Sequence, residues 1–74
     1  MNVMTAIIGT VVKWWPDRSY GFVKPDGAGG DYYLHADEMS SGRAHLGARV
    51  RFDVGRDKKN SGRIRAVNVE VIAS

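Results

Sequence analysis

The sequence predicts an all-β fold, a single small barrel of five antiparallel strands. Three observations carry that expectation. Five segments are rich in β-branched and aromatic residues, several of them alternating in polarity. The connections between them are short and carry glycine, proline or charge. No stretch has the caps and the 3.6-residue periodicity of a substantial helix. Five such strands in 74 residues fit either an OB-type or an SH3-like barrel. The length suits one domain, 1–74, with 1–5 as a flexible start. A domain of this size buries only about 60% of its unfolded surface, so a thin core is expected.

The first strand runs from Ala6 to Trp15, with Gly9 permitting a bend or bulge. Pro16-Asp17 is a turn signal, and residues 20–24 form the second strand. Pro25 to Gly30 is a mobile, glycine-rich turn. It is not a phosphate-cradling loop, because no Gly-Lys-Ser/Thr follows it. Residues 31–35 form the third strand, and Ala36 to Met39 one helical turn with acids near its start. Ser40 to Leu46 reads as a polar loop. In the fourth strand Val50, Phe52 and Val54 alternate inward, with Arg49, Arg51 and Asp53 outward. A charged hairpin loop, 55–62, leads to the last strand, Arg63 to Ile72. There the parity of Ile64 and its flanking arginines is opposite to that of Val67, Val69 and Val71. That change predicts a bulge near Ala66.

The net charge of +3 is weak, but its distribution is not even. Residues 1–42 hold three basic and five acidic side chains, whereas 43–65 hold eight basic and two acidic ones. Six of the seven aromatic residues lie between Trp14 and Tyr33. A closed sheet can bring rings and cations side by side, the two ingredients of single-strand binding. The competing reading of the basic half is a solvated, solubilising surface. There is no cysteine, which excludes a disulfide framework and thiolate zinc sites and fits a reducing compartment. No apolar run approaches the roughly 20 residues of a membrane span, and the N-terminus lacks the pattern of a signal peptide. The expectation is a soluble, cytoplasmic protein without a membrane partner.

The candidate site comes from strand geometry. Alternate residues of a strand share a face, so Tyr20, Phe22 and Lys24 lie on one side and Gly21 and Val23 on the other. Tyr33 and His35 likewise share a face of the next strand. If the two strands pair, four rings form a floor with a lysine at its edge. Exposed rings suit unstacked nucleobases, at roughly 1–3 kcal/mol per stacked base. Strand aromatics are more often core residues. Two features favour exposure here: Lys24 continues the Tyr20/Phe22 parity, and Gly21 keeps the inner side small, as a tightly curved wall requires.

Other chemistry finds little support. His35 with Asp37 or Glu38 is too sparse for an acid–base or metal site, His45 sits in a polar loop, and neither a cofactor nor a metal is expected. Two functional classes remain: a nucleic-acid-binding module, and a protein-interaction or assembly module using Trp14, Trp15 and Tyr33 as an apolar patch. The expected state is a monomer, with a dimer as the alternative.

Six stretches in order resemble the cold-shock domain family. Gly9-Thr10-Val11-Val12-Lys13-Trp14-Trp15 is similar to that family's opening Gly-x-Val-Lys-Trp-Phe, and Arg18-Ser19-Tyr20-Gly21-Phe22-Val23 to its first ribonucleoprotein motif. Asp31-Tyr32-Tyr33-Leu34-His35 resembles the second motif, with Pro25-Asp26-Gly27 as the connecting loop. Leu46 to Phe52 resembles the entry to the fourth strand, and Ala66-Val67-Asn68-Val69 the closing Ala-x-Asn-Val. The resemblance implies a five-stranded antiparallel OB-type barrel that binds single-stranded RNA or DNA, as an RNA chaperone or a regulator of transcription or translation, and is not an enzyme. It implies base stacking by Tyr20, Phe22, Tyr33 and His35, with Lys13 and Arg18 as basic neighbours. Of Trp14 and Trp15, a register with one extra residue in the first strand favours Trp14 as the ligand-facing ring. Lys24, Lys58, Lys59 and Arg63 complete the candidate set as phosphate contacts. Two departures stand out: Ala36 occupies the place of a Phe that ends the second motif, and Ser19 that of a glycine in the first. A missing ring predicts a weaker and more salt-sensitive binder.

Overall fold

In the computed structural model, which describes residues 6–27, 29–56 and 63–73, the β-branched segments are strands. They are β1 (Ile7–Trp15), β2 (Tyr20–Pro25), β3 (Tyr32–His35), β4 (Met39–Ser41), β5 (Arg49–Arg56) and β6 (Ile64–Ala73). A 3-10 turn, Ala36–Glu38, links β3 to β4. The sheet order is β3-β2-β1-β5-β6-β4, and β3 also pairs with β6. That last pairing closes five strands into an OB-type barrel, with β4 added along β6. The expected flexible start, 1–5, lies outside the described residues. Among the described residues no helix is long and apolar enough to cross a membrane.

The core is thin, as the length requires. Val11, Val23, Leu34, Ala48, Val50, Phe52, Ala66 and Val69 are buried. Tyr32 lies against Phe52, 5.5 Å between ring centroids, and Trp14, Met39 and Ala44 pack at the margin. Val50 and Phe52 point inward as their alternation predicts. Val54 shares that side, opposite buried Ala66, but near the end of β5 it is 44% exposed.

Several details differ from the sequence expectation. Closure is by a parallel bridge, Tyr33↔Arg65, and β4 also runs parallel to β6, so the barrel is antiparallel except along these pairings. The segment after β3 is a 3-10 turn and then a short strand, because Met39–Ser41 finds open hydrogen-bonding positions on β6. β6 has two irregularities, one at Ile72 and one at Asn68, two residues past the expected place near Ala66. Arg51 pairs with Glu70 and Asp53 with Val67, which leaves an extra residue between them, and Asn68 adopts a left-handed φ of 53°. Asparagine tolerates that conformation better than its valine neighbours. Ahead of the bulge Ile64 shares the inner side with Ala66 and Arg65 the outer side with Tyr33, yet Ile64, at the start of the strand, is 51% exposed and Arg65 only 8%.

In β1 the register changes at Val12, not at Gly9. Val11 pairs with Val23, but Lys13 pairs with Phe22, so β1 holds one residue more than β2. The strand can swell there because Gly21 lies opposite. A Cβ on Gly21 would strike the Lys13 carbonyl oxygen and stand 2.7 Å from Cε3 of Trp14. Gly21→Ala is expected to cost about 3 kcal/mol of stability, an overpacking penalty against backbone that cannot move aside. Gly27→Ala, with open space around it, should leave the urea midpoint nearly unchanged.

Candidate functional site

Strand register assembles the site. Directly paired residues of antiparallel strands point to the same side. The outward pairs are Thr10↔Lys24, Lys13↔Phe22 and Trp15↔Tyr20 between β1 and β2, then Tyr20↔His35 and Phe22↔Tyr33 between β2 and β3. On the reverse side, Gly21 and Val23 are buried with Leu34. Four rings form one continuous group. Ring centroids are 5.2 Å apart for Trp15–Tyr20, 6.2 Å for Trp15–Phe22 and 6.5 Å for Tyr20–Phe22. Tyr33 lies 5.7 Å from Tyr20 and 6.0 Å from Phe22. These separations suit tilted and edge-to-face contacts, so the rings hold one another in place. Tyr20, Phe22 and Tyr33 are half-buried and Trp15 is 41% exposed, which leaves ring surface open to solvent.

Trp15, not Trp14, is the outward tryptophan. The extra residue at Val12 reverses the side-chain parity of the end of β1. Lys13 and Trp15 thereby join the outer face, and Trp14 turns over Gly21 to pack against the core. Trp14 also lines a cleft of about 430 Å³ with Pro16, Ser19, Met39 and Arg43, apart from the four-ring group.

Cations surround the rings. Lys13, Arg18 and Lys24 are exposed. The Arg63 guanidinium lies over Tyr33, 4.7 Å from the ring centroid. Lys58 and Lys59 lie outside the described residues. His35 sits at the end of the floor, where Nδ1 accepts a hydrogen bond from the Asp37 backbone N–H at 3.1 Å. Asp37 and Glu38 face Arg65, with Nη2 donating to them at 3.4 Å and 3.3 Å. The sequence reading missed this contact. No local signal reveals it, because Arg65 and the acid pair after β3 lie some 27 residues apart in sequence.

Elsewhere, Arg49 forks onto Asp26 with two 2.7 Å bonds and also donates to Thr10 at 2.8 Å. The hydrogen bonds from Arg49 hold the Asp26 carboxyl below its ordinary range. A carboxylate with a lowered folded-state value stabilises the protein above its unfolded value, and that contribution fades as pH falls through the folded one. In urea titrations below about pH 4, Asp26→Asn should therefore flatten the acid dependence, by a small amount because the pair is exposed.

The loop before Tyr20 is strained. Ser19 has φ of 62°, and its N–H and that of Arg18 both donate to the Trp15 carbonyl. A left-handed serine costs roughly 1 kcal/mol, of which the flexibility glycine adds to the unfolded chain cancels part. Ser19→Gly should raise stability by about 0.5 kcal/mol, seen as a small rise in Tm.

No protein-family model matches the chain. A cold shock protein of Arthrobacter globiformis is 35% identical over 52 residues, covering 65% of this chain and 78% of the relative. Identity at that level over most of the relative, on a five-strand closed barrel, places the sequence: the chain belongs to the cold-shock protein family, as a divergent member.

Proposed function

We propose that the protein binds single-stranded RNA and DNA in the cytoplasm, stacking bases on Trp15, Tyr20, Phe22 and Tyr33 and meeting phosphates with Lys13, Arg18 and Lys24. It acts in this reading as a cold-shock-type RNA chaperone or regulator of transcription or translation, as a monomer and without catalysis. One observation carries it: four rings that could have filled a thin core lie together on the outside, beside exposed cations. His35 extends the floor, and Arg63 on Tyr33 offers a second flat cation. The family likeness supports the same reading.

Titration of tryptophan fluorescence with dT and rU oligomers tests it. Tyr20→Ala, Phe22→Ala and Trp15→Ala should each weaken binding by about ten- to a hundredfold, the equivalent of roughly 1–3 kcal/mol of stacking. Their melting temperatures should change little. Trp14→Ala should do the opposite, lowering stability more than affinity. With Lys13, Arg18 and Lys24 each meeting a phosphate, log K against log salt should fall with a slope of about −2. Salt-insensitive dimerisation abolished by Trp15→Ala would favour an assembly surface instead.

A further inference from the structure

Arg65 is the one buried charged residue among those described. Its burial is not explained by stability. Nε has no hydrogen-bond partner, and the two bonds from Nη2 are long, 3.3 Å and 3.4 Å. A guanidinium so loosely paired costs more in lost hydration than its partners return, and an apolar side chain of similar size often serves a core equally well. What the arginine does provide is connection. It stands opposite Tyr33 in the parallel bridge that closes the barrel, with its guanidinium 5.9 Å from the Tyr33 ring centroid. Its bond to Asp37 lands on the residue whose backbone N–H donates to Nδ1 of His35 at 3.1 Å. Glu38 receives the other bond on Oε2, and its Oε1 accepts from the Asn68 N–H at 3.3 Å.

β3 spans only four residues, and it carries Tyr33 and His35. β2 pairs with all of it, but on the β6 side the backbone meets through a single pair, so side chains carry that contact. We infer that Arg65 is a positioning residue for the ring floor: it holds Tyr33 directly, and His35 through Asp37, in the orientation that ligand stacking uses. The inference rests on the proposed function for its ligand but not for its geometry, which can be read in the free protein.

The test compares Arg65→Met, Arg65→Lys and the double variant Arg65→Met/Tyr33→Ala. Arg51→Met serves as a charge-matched control, since Arg51 pairs with Glu70 on another part of the barrel. Arg65→Met should lower affinity for a dT oligomer about five- to tenfold beyond the loss in Arg51→Met, with Tm held or raised. Arg65→Lys should recover part of that loss. In the Tyr33→Ala background Arg65→Met should add little, because the residue it acts through is gone. An undiminished loss in that background would mark a general charge effect and overturn the proposal, as would an affinity equal to that of Arg51→Met. Should Arg65→Met fail to fold, Glu38→Gln removes one anchor with Arg65 in place and should lower affinity in the same direction; no loss would count against it. Ring-proton NMR of the free protein separates the two readings. Tyr33 and His35 resonances should move in Arg65→Met and stay in Arg51→Met; unmoved rings overturn the positioning role. Absent binding by the wild type, or indifference to Tyr20→Ala and Phe22→Ala, would instead sink the nucleic-acid reading.

Discussion

One added residue in β1 governs what the surface of this barrel offers. Without it, Val11 inward would set Lys13 inward and Trp14 outward, and the rings would divide differently between core and solvent. With Val12 inserted opposite β2, Lys13 flanks Phe22 and Trp15 meets Tyr20. Gly21 makes the insertion possible, because its missing side chain leaves room for the Lys13 carbonyl and the Trp14 ring. The same few atoms therefore settle both a core contact and the outer floor. A change there would disturb stability and ligand surface together, whereas a change at Trp15 would disturb the surface alone.

The floor is organised before any ligand arrives. Its rings touch one another at tilts between 38° and 86°, which is how aromatic quadrupoles pack, not how a continuous stack packs. Each ring thus presents its own face at its own angle. On the proposed function, a strand stacking here would have to turn its bases to suit them, which a flexible single strand does at smaller cost than a duplex. Mutual contact also explains why these residues are half-buried: an edge-to-face pair covers part of one ring's face, and the Arg63 guanidinium lies over that of Tyr33.

Much of this was legible in the chain. Alternation placed Tyr20, Phe22 and Lys24 on one side and Val23 on the other, and the strands occur where β-branched residues gather. The choice between Trp14 and Trp15 was not legible, because a bulge shifts parity by one residue, and it sits at Val12 rather than at the glycine that suggested it. The burial of Arg65 was not legible for a related reason: alternation turns it to the outer side, and closure of β3 onto β6 then sets it against Tyr33, beside an acid pair some 27 residues away in sequence. Long-range pairing of that kind leaves no local trace.

Closure also rearranges the charge. The sequence divides into an acidic first part and a basic second part, which suggests that phosphate contacts come from the second. In the fold, Arg49 is committed to Asp26, Arg51 to Glu70, and Arg65 to Asp37 and Glu38. Three arginines of the basic part thus neutralise acids that would otherwise repel a phosphate chain. Of the exposed cations flanking the rings, Lys13, Arg18 and Lys24 come from the acidic part and Arg63 from the basic one. Three of the six arginines from Arg43 onward thus screen carboxylates, and the positive character around the rings is what remains once those pairs have formed.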